Sequence, residues 1–388
     1  MSFDFDRVIP RAGSSSLKWD GRKSVFNSED VIPLWVADMD FATPEEVTRS
    51  LVERALHPVY GYTLIPDSLF DAMADWLRLR HGWEIEREWV LWVPGVVPSL
   101  NATVLGLTCP GEAVIVQPPV YPPFFSAVTV TGRRLAENPL RETDGRYAMD
   151  LDHLEQCAAQ GARLLLLCSP HNPVGRVWTE DELDSVLDIA RRYDLTILSD
   201  EIHHDLVYPG VRHSPLARLA GNASHIVSAV APSKTFNIPG LGLSALIVPD
   251  PQRRAAILAA FNQLHITAGN PFSIAAFEAA YRHGGAWLDA LLAYLAETRD
   301  YVLDFIARHL PGIRAIPPEG TYLLWLDCRG LGMDDAALKT FLIGRAQVGL
   351  SPGTIFGAGG NRHMRLNLGA PRALIAEALT RIATATRP

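Results

Sequence analysis

The sequence predicts an α/β protein: a large domain with a mostly parallel sheet covered by helices, and a smaller α+β domain beside it. Three observations predict this. Short apolar, β-branched runs recur between Pro44 and about Tyr281 with amphipathic segments between them, as strands alternating with covering helices would. The runs are apolar throughout rather than alternating, which suits strands buried on both faces. With 388 residues and 48% hydrophobic content, the chain holds too much apolar material for one small core.

Each element follows in order. Residues 69–79 read as a helix, and residues 92–101 as strand, glycine turn and helix, with Pro98 tolerated in the first helical turn. The clearest strands are 113–117, 163–168, 195–199, 226–230 and 245–248. Residues 287–310 read as a long helix leading away from this unit. Strands near 321–327 and 364–367 then belong to the smaller one. The division is 44–283 for the large domain, with 1–43 and 284–388 forming an N-terminal arm and the small domain. No internal repeat or low-complexity linker interrupts it.

Residues with chemistry stand where the strands end, the position at which open α/β sheets bind ligands. Lys234 follows strand 226–230 in a turn of small residues, and its amine can form an imine with an aldehyde. Asp200 follows strand 195–199; its carboxylate can pair with a protonated ring nitrogen, or serve only as a helix cap. Asn172 lies in the rigid turn Ser169-Pro170-His171-Asn172-Pro173-Val174-Gly175, with an amide free to donate. Gly95, Val96 and Val97 open a helix whose backbone N–H groups can cradle a phosphate. Tyr121 sits in the proline-rich run 118–123 and can stack on a planar ring. Taken singly, each of these has an ordinary structural reading.

Together these segments carry a resemblance. Residues 32–41, Tyr60-Gly61-Tyr62-Thr63, 94–98, 169–175, Asp200-Glu201-Ile202-His203, Ser233-Lys234-Thr235-Phe236-Asn237 and Met364-Arg365-Leu366-Asn367-Leu368-Gly369 resemble the fold-type I pyridoxal-phosphate enzymes of the class I/II aminotransferase superfamily. The run Trp35-Val36-Ala37-Asp38-Met39-Asp40-Phe41 and the Asp-Glu-Ile-His run favour its cystathionine β-lyase-like C–S lyase branch. The resemblance implies pyridoxal 5'-phosphate as cofactor. It implies that Lys234 holds the cofactor and moves the α-proton. Asp200 would face the pyridine nitrogen, Asn172 and His203 the phenolic oxygen, and Tyr121 the ring. Gly95, Val96, Val97 and Ser233 would hold the phosphate, with Tyr62 reaching it from a partner subunit of a homodimer. Arg365 would grip the substrate carboxylate, with Ala37 and Asn367 beside it and Arg362 as rival. Alanine at 231, where the family often has serine, removes one hydroxyl from the phosphate site.

The implied reaction is α,β-elimination of cystathionine or another cysteine S-conjugate to thiol, pyruvate and ammonia. An aminotransferase, or a decarboxylating or oxidative pyridoxal-phosphate enzyme, is the alternative. A non-catalytic regulator is a further one, disfavoured by the intact Lys234, Asp200, Asn172 and Arg365. The formal charge of −8 argues against nucleic acid as a main partner. No leader pattern opens the chain and no apolar run approaches the ~20 residues of a membrane span, so a cytoplasmic enzyme is expected. The four cysteines form no Cys-x-x-Cys pair, and neither a metal site nor a disulfide framework is expected.

Overall fold

The computed structural model describes residues 3–387, and seven strands of it form one sheet. Their order across the sheet is Val90–Val93, Ser244–Ile247, Ile226–Val230, Thr196–Asp200, Ala162–Cys168, Ala113–Val116 and Arg134–Glu137. Only Ser244–Ile247 runs against its neighbours. The expected mostly parallel sheet is therefore present, and the five strands read from sequence lie within a residue or so of those observed.

The apolar runs exist because both faces are covered. Leu164, Leu166 and Leu198 pack with helices Val96–Leu107 and Pro251–Gln263. Leu165, Leu167 and Ile197 point the other way, onto Glu180–Tyr193 and Pro271–His283. A fully buried side chain of this kind contributes about 1.5–3 kcal/mol of transfer free energy, so these central strands hold the sheet rigid. Glu180–Tyr193 shows how local sequence fits this frame. Thr179 and Glu182 form a capping box, acids fill the first turn and Arg191 and Arg192 the last, and Leu183, Val186, Leu187 and Ala190 are buried at helical spacing.

A second, antiparallel sheet orders Arg314–Ile316, Leu323–Asp327, His363–Asn367 and Ser351–Pro352. The helix Gly285–His309 leads to it, as expected. The N-terminal segment joins this side: Ile32–Pro33 pairs in parallel with Val348–Gly349, and Phe5 packs on Phe41 and Trp287. Several elements escaped the sequence reading, among them the edge strand Arg134–Glu137, the strands Arg314–Ile316 and Ser351–Pro352, and a hairpin. Arg141–Thr143 and Arg146–Ala148 form a hairpin whose turn residues Asp144 and Gly145 have φ of 51° and 84°, the left-handed pair that Asp-Gly favours. Among the described residues no helix is long and apolar enough to cross a membrane.

Candidate active site

The carboxyl ends of the central strands open into a cavity of about 340 Å³, walled by the start of helix Val96–Leu107, the Val36–Ala37 segment and Arg365. Most of the side chains singled out from sequence meet here: Lys234, Asp200, Asn172, His203, Tyr121, Ser233 and Ala37, together with the Gly95–Val97 backbone.

Asp200 ends the strand Thr196–Asp200 and lies opposite Cys168 across the sheet. It is a strand residue, one position further than the sequence suggested, because its carbonyl still accepts from the Ser169 N–H at 3.0 Å. Its carboxyl is buried, and burial pushes its pKa up to about 7. A cationic group laid against it would restore the carboxylate. A protonated pyridine nitrogen has that charge.

Lys234 is buried with its Nζ 2.6 Å from the Ala37 carbonyl oxygen, which also accepts from the Tyr322 hydroxyl at 3.0 Å. Burial, then the charge of Arg365, lower the amine's pKa from 10.5 to about 8, against the pull of Asp38 and Asp200. An amine so placed is partly neutral near pH 7, as a nucleophile or base must be.

Arg365 and Asn172 orient each other. The guanidinium donates to Asn172 Oδ1 at 2.9 Å, to the Trp35 carbonyl at 2.9 Å and to Ser351 Oγ at 3.3 Å, and lies over the Phe356 ring. With its oxygen engaged, Asn172 presents its NH₂ as donor. Two buried ring or guanidine nitrogens at this site have no partner among the described residues, Arg365 Nε and His203 Nδ1. Burial holds the His203 pKa well below 6.5, so its ring is neutral.

The other end of the cavity is built from backbone. No side chain caps helix Val96–Leu107, so its first N–H groups are available to an anion. Ser233 adds a hydroxyl at this end. Ala231 is fully buried and adds no donor. A buried carboxylate, a neutral histidine, an amide donor, a buried amine and an uncapped helix are the kinds of group that pyridoxal phosphate needs for its ring nitrogen, phenolic oxygen, aldehyde and phosphate.

Three sequence expectations fare differently. Asn367 does not line the cavity. Its amide donates to the Val36 and Asp38 carbonyls, each at 2.7 Å, and its oxygen accepts from the Gly369 N–H at 2.7 Å. Both its N–H donors are used in holding the wall that Ala37 forms. Arg362 is exposed and outside the cavity, which leaves Arg365 as the buried guanidinium. Tyr62 lies in an irregular segment, fully exposed. Ser351, Phe356 and Tyr322 were not legible. Ser351 reaches Arg365 only through antiparallel pairing of Ser351–Pro352 with His363–Asn367.

The sequence model of the family described as aminotransferase class I and II matches residues 29–382. The chain belongs to this family. Within it, the chain is 41% identical to the cystathionine β-lyase PatB of Bacillus subtilis over 384 residues, covering 98% of this chain and 99% of that protein. Its structure matches that of cystalysin from Treponema denticola, which contains a pyridoxal 5'-phosphate cofactor, with a TM-score of 0.95 and 39% identity over 99% of both chains. It also matches the pyridoxal-phosphate-bound C–S lyase of Staphylococcus hominis, with a TM-score of 0.93 and 30% identity over 100% of this chain and 99% of that one. In this member of the family the cavity at the strand ends is thus the place to look for the chemistry.

Proposed function

We propose that this protein is a pyridoxal-phosphate-dependent carbon–sulfur β-lyase that cleaves cystathionine or another cysteine S-conjugate to thiol, pyruvate and ammonia. The observation that carries the reading is the buried, partly neutral Lys234 facing a cavity whose floor is Asp200 and whose wall is Arg365. The kinship with PatB and the C–S lyase structures supports the lyase outcome over amino-group transfer.

When bound, pyridoxal phosphate supplies an aldehyde for the substrate's amino group and a pyridinium ring that stores the electron pair left at Cα. The chain's residues do the rest. Asp200 would keep the proton on the ring nitrogen. Asn172 and His203 would serve the phenolic oxygen, and Tyr121 the ring. The Gly95–Val97 backbone and Ser233 would hold the phosphate. Arg365 binds the α-carboxylate with its planar pair of donors and so fixes which bond at Cα faces Lys234. Lys234 takes the α-proton. The β-carbon–sulfur bond then breaks with its electron pair leaving on sulfur, and hydrolysis of the three-carbon remainder gives pyruvate and ammonia.

The proposal extends to assembly and place. Tyr62 on its exposed segment is assigned to the phosphate of a second copy in a homodimer with shared sites. Residues 44–283 are taken as the large domain and 1–43 with 284–388 as arm and small domain, in line with the pairing of Ile32–Pro33 with Val348–Gly349. The four unpaired cysteines suit a reducing, cytoplasmic setting. Borohydride reduction of the loaded protein, followed by peptide mapping, tests the core of the reading. The pyridoxyl label is expected on Lys234, and a label on another lysine would overturn it.

A further inference from the structure

Asp205 lies outside the cavity, yet it touches the segments that build it. Its side chain is almost wholly buried. Three donors from two elements converge on it: Trp76 Nε1 at 3.1 Å, His81 Nε2 at 2.8 Å and Thr235 Oγ1 at 2.8 Å. Trp76 and His81 stand on helix Asp67–His81, and Thr235 is the residue after Lys234. His204 Nε2 lies 3.3 Å away, and its Nδ1 meets the Glu201 carbonyl at 2.6 Å. His81, His204 and Asp205 bring metal-ligating atoms within 4.8 Å of one another. The donors of Trp76, His81 and Thr235 already engage both carboxylate oxygens, so the cluster reads as a hydrogen-bond hub rather than a cation site.

The hub sits at one side of a turn pinned at successive residues. Thr235 is anchored to Asp205. Phe236 is buried against Trp76 and Tyr281. Asn237 exchanges hydrogen bonds with Met39 and donates to the Phe41 carbonyl at 2.8 Å. The next residue of the hub segment also matters. The Leu206 carbonyl accepts from the Thr321 N–H at 2.6 Å, beside Tyr322, whose hydroxyl shares the Ala37 carbonyl with Lys234. One buried carboxylate thus ties together the lysine turn, the turn after Asp200 and His203, and the helix behind both.

We propose that Asp205 is a positioning residue for the reaction, fixing the Lys234 turn through the Thr235 hydroxyl. The inference rests on the role proposed for Lys234. A misplacement of about 1 Å far from the chemistry can lower turnover on the order of 100-fold. An ionised carboxylate only accepts hydrogen bonds, whereas the amide of Asn in its place would turn donors toward donors.

The test uses the loaded enzyme, with cystathionine as substrate and the variants Asp205→Asn, Thr235→Val and Thr235→Ser. Asp205→Asn is expected to lower kcat by about 10–100-fold with KM within about threefold, and to slow borohydride labelling of Lys234. Thr235→Val is expected to do the same less severely, and Thr235→Ser, which keeps the hydroxyl, to restore wild-type values. Should Asp205→Asn fail to fold, the Val and Ser pair decides alone. Wild-type kcat and labelling in Asp205→Asn or Thr235→Val, with only a lower Tm, would overturn the inference and leave Asp205 a stabilising group. Wild-type enzyme that carries no label at Lys234 would instead overturn the reading of Lys234 itself.

Discussion

The two ends of the cavity are built by different means. At the ring and carboxylate end, buried side chains from separate strands fix one another: Asn172 accepts from Arg365, Lys234 reaches the Ala37 carbonyl, and burial moves Asp200 up and Lys234 down in pKa. At the end proposed for the phosphate, the cavity is lined by the start of an uncapped helix and one serine hydroxyl, with alanine at 231. Lys234 and Arg365 are the cations among the described lining residues, and both serve the other end. In the proposed reading, one chain supplies the groups for the ring and carboxylate, while phosphate binding falls to helix dipoles and a second copy. Substitutions at the first end are therefore expected to strike turnover, and those at the second to strike cofactor affinity.

The largest effect expected is that of Asp200→Ala, which removes the group that keeps the ring nitrogen protonated. Turnover is expected to fall by about 10²–10³-fold, as for loss of a buried electrostatic contact to developing charge, while cofactor still binds. Near wild-type turnover would show that Asp200 does not face the ring.

Next comes Arg365→Lys. Loss of the two-pronged contact is expected to raise KM by about 10–100-fold, from roughly 1.5–3 kcal/mol of charge-assisted hydrogen bonding, while Arg362→Lys leaves it unchanged. Steady-state kinetics of the two variants decide the matter, and the opposite order would move the carboxylate to Arg362.

The lowered proton affinity of Lys234 gives a pH signature. Only the neutral amine takes up the aldehyde, so the rate of cofactor uptake by cofactor-free protein is expected to climb about tenfold from pH 7 and level off above about 8. An ordinary lysine would keep climbing toward 10.5. The sign for stability agrees. Between about 8 and 10.5 the unfolded chain binds more protons at this site than the native one, so this group's contribution makes the fold more stable as pH rises across that window. Stopped-flow absorbance against pH measures the first, and thermal melts of wild type and Lys234→Met measure the second.

The smallest effect belongs to the phosphate end. Tyr62→Phe is expected to weaken cofactor binding by about tenfold, the value of one hydrogen bond to a charged group, with kcat unchanged at saturating cofactor. Mixing Tyr62→Phe with Lys234→Ala chains after dissociation sharpens the comparison. A mixed dimer has one site with both defects and one with neither, so part of the wild-type activity should return. No return, with mixed dimers demonstrated, would mean each site is built within one chain.

How much of this was legible depended on where each contact comes from. The five central strands of the main sheet were readable because both their faces are covered, which makes runs such as Leu164–Leu167 apolar throughout; the edge strand Arg134–Glu137, exposed at both ends, was not read. Lys234 and Asn172 were readable because each stands in a turn that follows such a run, and Asp200 because it ends one. Ser351 and Phe356 were not, because strand pairing and tertiary packing across the second sheet bring them to Arg365, and no spacing in the chain encodes that. The contacts of Asn367 escaped the sequence for a related reason. Its position two residues after Arg365 suggested a shared task, while its amide is consumed by the loop carrying Val36 and Asp38. The Asp144-Gly145 hairpin was passed over although its turn chemistry is local.

The central claim is that the electron pair generated at Cα expels sulfur from the β-carbon. Measuring homocysteine, pyruvate and ammonia together, as cystathionine is consumed by the loaded enzyme without any added 2-oxo acid, tests it most directly. The account predicts the three products in equal amounts, one of each per cystathionine lost, over many turnovers. Consumption that requires an added 2-oxo acid and returns its amino acid, with no thiol released, would contradict it and make the protein an aminotransferase.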